Sequence, residues 1–563
     1  MVKQKNIHPI IERRLAMLRQ YVQDLQNEFA GYGTAKLRRD LMAGITVTAV
    51  ALPLSLAFGV SSGADAAAGL ITAILAGLII SMLSGASYQI SGPTGAMSAI
   101  LIAITAQYGL EGVFIACLLA GIILVLAGIL KFGRVVSIIP MPVITGFTSG
   151  IAIIIALGQV DNFFGVQSAG ESAIEKVMSY FELGFQPDWA TVAIGVLTVL
   201  IMIFWPKNWN AIIPSSLAAL LVVLCLNMVL KLPVDVVGDI PKTLFPENRL
   251  AFGDLSLAKM EGLLWPAISI AALGMIESLL CGASAGRMTG EKMNGDRELV
   301  AQGIGNMIIP FFGGVPATAA IARTSVAIKA GMATRLTGIF HAVGLLLSMF
   351  LLSPIMSAIP MSALAGILMV TAWRMNEWES IHYFFSRKFG GAIMKFSLTL
   401  AATVVFDLTV AIVVGIVLSA ILFVINSAEV EMNISKIDND KLKEKGISIC
   451  KDHDHIRVIY LTGPIFFATV HSLTKRLEDA HQGVMILSMR GVSSIDTSGV
   501  QAMLEFCEAK KQEGITIVFS GVQANVLRRF EKGGVLDVVG RDHVYWSTDL
   551  ALAEMDMNQS TAV

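Results

Sequence analysis

The sequence predicts an α-helical, polytopic membrane protein that carries a small α/β domain behind its last membrane segment. Three observations carry that reading. Of the 563 residues, 55% are hydrophobic and only 15% are charged, whereas an average soluble domain is about 25% charged; mean hydropathy is +0.71. Long apolar stretches follow one another from Leu41 to Asn426, while both ends have ordinary soluble composition. Beyond Asn426 the pattern changes to strands alternating with amphipathic helices.

A membrane-crossing helix needs about 20 apolar residues, fewer inside a bundle. Spans are predicted near 41–60, 67–84, 93–107, 111–130, 143–160, 189–205, 211–231, 262–282, 298–312, 317–330, 334–353, 361–373, 391–406 and 409–427. Fourteen is an even number, so both termini are expected on one side. Lysine and arginine favour cytoplasmic connections. With the N-terminus inside, the inner connections hold Lys131 and Arg134, Lys207, Arg287 with Lys292 and Arg297, Lys329 with Arg335, and Arg374 with Arg387 and Lys388. The outer connection 161–188 offers Lys176 against five acidic residues. Both ends are therefore expected in the cytoplasm, with the protein in the inner (cytoplasmic) membrane. The first forty residues are polar and include Arg13, Arg14 and Arg19, so no cleavable signal peptide is expected. Domain limits follow: 1–38 an N-terminal cytoplasmic segment, 39–427 the membrane part, 428–454 a linker or domain start, 455–552 the soluble domain, and 553–563 a tail.

Composition also excludes several classes. A net charge of −1 argues against nucleic acid as a partner, which needs a basic footprint. The five cysteines have no CxxC or Cys/His spacing and read as small apolar fillers, not as a disulfide framework or metal site. No GxxxxGK[ST] loop or metal-ligand cluster occurs, so neither an enzyme, an ATP-driven pump nor a cofactor is expected.

Two segments are unlike ordinary spanning helices and occupy matching places in the two halves. The third span opens with 88-YQISGPTGAMSAI-100 and the tenth with 313-GGVPATAAIARTS-325. In each, small residues lead to proline and then threonine, Pro93-Thr94 and Pro316 with Thr318, before an apolar helix. Proline suits a first helical turn, where its missing N–H is not needed. Each segment is predicted to run extended to mid-membrane and to become helical there. If spans 1–7 and 8–14 are inverted repeats, the two helix N-termini meet. Such termini present free N–H groups and partial positive charge, which makes an anion site, as in transporters with discontinuous helices.

Ionisable residues inside spans are expensive and usually functional. Glu277 lies inside the eighth span, and Arg323 about a turn and a half beyond Thr318 in the tenth. Their opposite signs suggest a salt bridge, and a carboxylate in such a cavity can take up a proton. Asp65 and Asp407 fall at predicted span ends and read as solvated.

These residues resemble the SulP (sulfate permease) anion transporters over about residues 35–550. The resemblance rests on 39-RDLMAGITVTAVALPLSLAFG-59, 91-SGPTGAM-97, 143-VITGFTSGIA-152, 274-GMIESLL-280, 296-DRELVAQGIGN-306 and 311-FFGGVPATAAIARTS-325. It implies fourteen spans in two inverted seven-span repeats, a core domain of spans 1–4 and 8–11, and a gate domain of 5–7 and 12–14. It also implies an elevator-like motion of the core past the gate. Carried over by position, substrate contacts are Ser91, Gly92, Thr94, Gly95, Ala317, Thr318 and Ala319, with Ser55 and Phe58 lining the cavity. Glu277 takes the ion-coupling position of the family. Proton-coupled members pair that Glu with an Arg at the position of Arg323, whereas a sodium-coupled bicarbonate branch has Asp and lacks the Arg. The first span, ALPLSLAFGVSSGA, looks like the bicarbonate branch. Sulfate with protons, and bicarbonate or a C4-dicarboxylate with sodium or protons, all stay open, as does an uncoupled anion channel or exchanger.

The tail alternates strand 455–463, helix 471–482, strand 483–491, helix 495–514, strand 515–521 and helix 522–534. It resembles a STAS domain, carried by Asp496-Thr497-Ser498-Gly499 at a strand-to-helix turn, where Asp496 can cap the helix. In the related anti-sigma-factor antagonists the serine matching Ser498 is phosphorylated, which marks Ser498 as a candidate regulatory position. The resemblance further implies a homodimer and a cytoplasmic protein partner for this domain.

Overall fold

Helix lies under every stretch that apolar composition marks, and its interruptions fall where glycine and proline gather. The computed structural model describes residues 21–134, 139–170, 173–206, 208–209, 213–406, 408–427, 431–435, 456–478 and 483–560. The chain divides into two units, Met1–Ile416 and Val417–Val563.

The first unit is helical. Its principal helices are α1 (Thr34–Ser61), α2 (Ala66–Leu83), α3 (Gly95–Ile129), α4 (Met141–Gly158), α5 (Trp189–Phe204), α6 (Ser215–Leu230), α7 (Leu264–Thr289), α8 (Gly295–Ile308), α9 (Ile321–Lys329), α10 (Leu336–Met356), α11 (Met361–Met375) and α12 (Gly390–Val405), and α13 (Leu408–Ser427) crosses from it into the second unit. Among the described residues, α1, α2, α3, the run Met141–Phe164, α7 and α10 are each long and apolar enough to cross a membrane, and four shorter helices are apolar. Large apolar side chains such as Phe204, Val229 and Leu351 stand more than two-thirds exposed on the outer faces. A water-soluble protein does not display such a surface. The predicted third and fourth spans are two helical halves of α3 that meet at a kink at Gly109, whose φ of 69° is a conformation that favours glycine and breaks the helical path.

Interhelical packing relies on small residues, as expected where lipid offers no hydrophobic drive for helices to associate. A Cβ on Gly121 of α3 would sit 2.7 Å from the Gly303 carbonyl oxygen of α8, and one on Gly303 would sit 2.6 Å from that of Gly121. The two backbones touch there. Polar clamps reinforce the bundle. Asp40, fully buried in α1, accepts from the N–H of Ala333 (2.6 Å) and Thr334 (2.9 Å), from the hydroxyls of Thr334 (2.6 Å) and Thr337 (2.9 Å), and from Tyr32 (3.0 Å). It thereby ties α1 to the entrance of α10.

Several charges counted as inner-loop cations are not free. Arg335 is buried and paired with Glu28 at 2.7 Å, and Arg297 pairs with Asp24 at 2.5 Å. Arg374 is exposed and donates to the Met202 carbonyl at 2.7 Å. Asp65 is exposed, as expected for a span end, and caps α2 through the Ala68 N–H at 2.6 Å. Asp407 lies outside the described residues.

The second unit holds a five-stranded sheet in the order β3 (Glu431–Ser435), β4 (Ile456–Thr462), β5 (Val484–Gly491), β6 (Thr516–Ser520), β7 (Val544–Tyr545). β4 to β7 run parallel, and β3 is an antiparallel edge. Helices α14 (Phe467–Glu478), α15 (Thr497–Gln512) and α16 (Ala524–Lys532) match the predicted alternation. Leu461, Leu487, Phe519 and Phe530 centre one core. The region predicted as a tail is partly helix α17 (Thr548–Ser560), which buries Ala551 and Leu552 with Ile456, Ile486 and Val518. Cys507 is buried in this core, which pushes its thiol up to about 12 and leaves it unreactive, in keeping with a filler.

Candidate functional site

Both predicted breaks are present, and they pair with each other. Ser91–Gly92 (β1) and Thr318–Ala319 (β2) form a two-residue antiparallel ladder, with Ser91 opposite Ala319 and Gly92 opposite Thr318. Helix α3 starts three residues after β1, with Thr94 as its N-cap accepting from the Met97 N–H at 3.3 Å. Helix α9 starts two residues after β2, behind Ala320, whose side chain offers no cap. The prolines sit before the caps rather than inside the first turns. Pro93 directly follows β1, and Pro316 precedes β2, so each fixes the extended approach while the ladder takes its hydrogen bonds from neighbouring residues.

Backbone released from helix bonding must find partners at this depth, and it does. Thr72 bonds both the N–H (2.7 Å) and the carbonyl (2.9 Å) of Val315. Asn306 accepts from the Ala317 N–H (2.7 Å) and donates to its carbonyl (2.9 Å). Thr324 accepts from the Ile90 N–H (3.0 Å), Ser278 from the Ala319 N–H (3.3 Å), and the Ala320 N–H donates to the Ile90 carbonyl (2.9 Å). The first N–H groups of α3, at Gly95 and Ala96, and of α9, at Ile321 and Ala322, lie outside the intrahelical ladder by geometry. They are the groups an anion would meet.

Glu277 joins the two breaks. Its Oε2 accepts from the Thr94 hydroxyl at 2.9 Å and from the Thr318 hydroxyl at 3.0 Å, and the residue is half-buried. Arg323 is buried, and its Nη2 donates to the Pro93 carbonyl at 3.0 Å. The expected salt bridge between Glu277 and Arg323 does not form among the described residues. The guanidinium instead lies against Gly92, where a Cβ would come within 2.3 Å of Nη1. Arginine therefore braces one break from behind while glutamate bridges both. Nη1 is buried and makes no hydrogen bond.

Of the remaining predicted residues, Phe58 lies at the same place. Phe58 and Ile155 roof the start of α3, since a Cβ on Gly95 would come within 3.1 Å of the Phe58 ring and 2.5 Å of the Ile155 side chain. Ser55 is fully buried with its hydroxyl unpartnered. Ser498 belongs to the other unit, where it is exposed next to Asp496, which accepts from the N–H of Gly499 (2.8 Å) and Phe467 (3.1 Å). Three residues on α8 escaped the reading of the sequence: Glu298, Gln302 and Asn306, all buried. Their spacing of four places them on one face of the helix, and a polar stripe in an otherwise apolar span was the available signal.

Comparison with known proteins accords with this geometry. Residues 37–394 match the Sulfate permease family, and residues 449–551 match the STAS domain. The chain belongs to the sulfate permease family. It is therefore a multi-pass membrane transporter, not an enzyme. Among its relatives, YvdB of Bacillus subtilis (strain 168) is 34% identical over 92% of this chain and 97% of its own length. The bicarbonate transporter BicA of Picosynechococcus sp. is 29% identical over 92% of this chain and 94% of its own. The murine solute carrier 26 family member A9 shares the fold, with a TM-score of 0.84 at 17% identity over 98% of this chain and 96% of that one. In this sulfate permease family member, hydrogen bonds from Glu277 and Arg323 hold the paired breaks together.

Proposed function

We propose that the chain is a secondary active transporter that carries sulfate together with a proton, holding the anion between the starts of α3 and α9. The observation that supports this reading best is the shared bonding of Glu277 to Thr94 and Thr318. An ionised Glu277 occupies both hydroxyl protons and places negative charge where the anion must sit. Protonation removes that charge and releases both hydroxyls to donate to the anion. Anion and proton then bind better together than apart, which is the condition for symport. Main-chain N–H groups at the two helix starts, with the hydroxyl of Ser91, supply the rest of the cradle. The bracing bonds around the breaks favour movement of the site as a unit in an elevator-like cycle. The protein works as a homodimer in the inner membrane, with both termini and the STAS domain in the cytoplasm, where the STAS domain contacts a protein partner and Ser498 is open to phosphorylation.

Bicarbonate with sodium is the second reading, favoured by the similarity to BicA along nearly its whole length. A C4-dicarboxylate fits the same cradle. Proteoliposomes loaded with labelled sulfate, bicarbonate or succinate, under an imposed pH or sodium gradient, separate these cases. Sulfate accumulation driven by inward protons and abolished by Glu277→Gln supports the leading proposal. Bicarbonate accumulation driven by sodium refutes it, and flux that never accumulates against a gradient identifies an uncoupled channel or exchanger.

A further inference from the structure

We propose that Glu298 is a second proton-responsive group, acting on the anion site through Gln302 and the hydroxyl of Ser91, so that its protonation weakens anion binding. The inference rests on the anion-site reading for its effect on transport, and on geometry alone for the proton site.

Glu298 is fully buried in α8, and among the described residues no cation pairs with it. Its Oε2 faces the Ser84 hydroxyl at 2.5 Å and accepts from the Gly85 N–H at 3.0 Å, while Oε1 accepts from Gln302 Nε2 at 2.9 Å. The nearby arginines are engaged elsewhere. Arg297 pairs with Asp24, and Arg335 pairs with Glu28 while donating to the Ser84 carbonyl at 3.3 Å. The titratable groups of the neighbouring α7 are Glu277, committed to the two threonines, Cys281, whose thiol faces Thr324, and Arg287, exposed in the last turn.

The surroundings accept Glu298 with or without a proton. Ser84 has one hydroxyl proton and two acceptors, Glu298 Oε2 and the Ala86 carbonyl at 2.8 Å. With Glu298 ionised, that proton points at the carboxylate. With Glu298 protonated on Oε1, that O–H can donate to Gln302 Oε1 once the amide turns over, while Ser84 and Gly85 go on donating to Oε2.

Gln302 turns this choice into a message. Its Nε2 donates both to Glu298 and to Ser91 Oγ at 2.8 Å, and its Oε1 is buried without a partner. While Glu298 is ionised, repulsion between the carboxylate and the amide oxygen forbids the turned-over orientation. Ser91 then receives a bond and keeps its own proton free for an anion beside β1. Once Glu298 is neutral the amide can turn, and its oxygen gains the Ser91 hydroxyl as donor. The Ser91 proton is then withdrawn from the site. Protons can reach Glu298 from a cavity of about 900 Å³ lined by Gly85, Asn294, Gly295, Lys36 and Arg39.

The test uses the full-length protein. On a Glu277→Gln background, which removes the opposite effect of Glu277 protonation, the KM for sulfate exchange by the reconstituted protein is expected to rise about tenfold from about pH 8 to about pH 5, the loss of one hydrogen bond to an anion. Adding Glu298→Gln or Gln302→Met is expected to flatten that rise. Infrared difference spectra of the purified protein should show a protonated-carboxyl band on acidification that Glu298→Gln removes and Gln302→Met keeps. A KM profile that keeps its slope when Gln302→Met is added overturns the relay, and the absence of a band assignable to Glu298 overturns the proton site. If wild type moves none of the anions, the anion-site reading fails, and the infrared spectra judge Glu298 by themselves.

Discussion

Gly92→Ala is the smallest change that should disable the site, and its cost can be worked from the geometry. The new Cβ would lie 2.3 Å from Arg323 Nη1, whereas ordinary contact begins at 3.4 Å, so the guanidinium must retreat by about 1.1 Å. A surface arginine would swing away at little cost. Arg323 is 1% exposed and has no solvent to enter, and the retreat breaks its 3.0 Å bond to the Pro93 carbonyl. Losing a hydrogen bond from a charged donor costs about 1.5–3 kcal/mol, or about 10- to 150-fold in an equilibrium. Uptake of labelled sulfate into proteoliposomes should therefore fall by at least tenfold in Gly92→Ala. The discriminating step is the double variant. Arg323→Ala removes the clash partner, so adding Gly92→Ala on that background should cost nothing further. Full activity in Gly92→Ala, or effects that simply add, would refute the claim that Arg323 braces β1.

Other expectations follow from named bonds. Thr94→Val and Thr318→Val each remove one donor from Glu277 Oε2; each should lower uptake about tenfold, and a double-mutant cycle should show coupling above about 0.5 kcal/mol. Asp40→Ala strands two buried N–H groups at the entrance to α10; it should cost about 2–5 kcal/mol, read as a lowered Tm in nanodiscs, and an unchanged Tm would dismiss the clamp. Gly303→Ala drives a methyl group into the Gly121 carbonyl at 2.6 Å, a backbone contact that cannot yield, so size-exclusion profiles should show loss of most folded protein. Asp496→Ala removes acceptors for the Gly499 and Phe467 N–H groups; those two amides should exchange faster with solvent, by about 1 kcal/mol of lost protection.

The spans and the two breaks were legible because glycine, proline and long apolar runs act locally, within a turn or two of where they stand. The meeting of Glu277 with both threonines was not, because charge alone pointed Glu277 at Arg323 and a hydroxyl partner leaves no mark in composition. The partner of Arg323 was not. Sign alone suggested Glu277, but which way a long side chain leaves its helix depends on the space behind Gly92, and that space is set by residues 230 positions away. Gln302 and Asn306 were missed for a similar reason. An amide inside an apolar helix reads as incidental until the carbonyl it grips is known. In the soluble unit, β7 is two residues long, too short for alternation to register. The domain limit at 552 cut α17 in two, because its apolar residues end at Ala551 and Leu552 and the polar remainder reads as tail.

Mutation cannot replace a peptide bond. In the proposed site, much of the surface an anion would meet is main chain at the starts of α3 and α9, built from atoms that every amino acid supplies. Point changes at Gly95 or Ala317 alter bulk and leave the N–H groups in place. A lineage that exchanged one oxyanion for another would thus have few contact residues on which selection could act directly. It would have to work one layer back, through residues such as Asn306, which grips the Ala317 amide at both ends, and through Thr72, which does the same for Val315. Small shifts there re-aim the cradle without changing its chemistry. Divergence in cargo would then leave its traces in side chains that never touch what is carried.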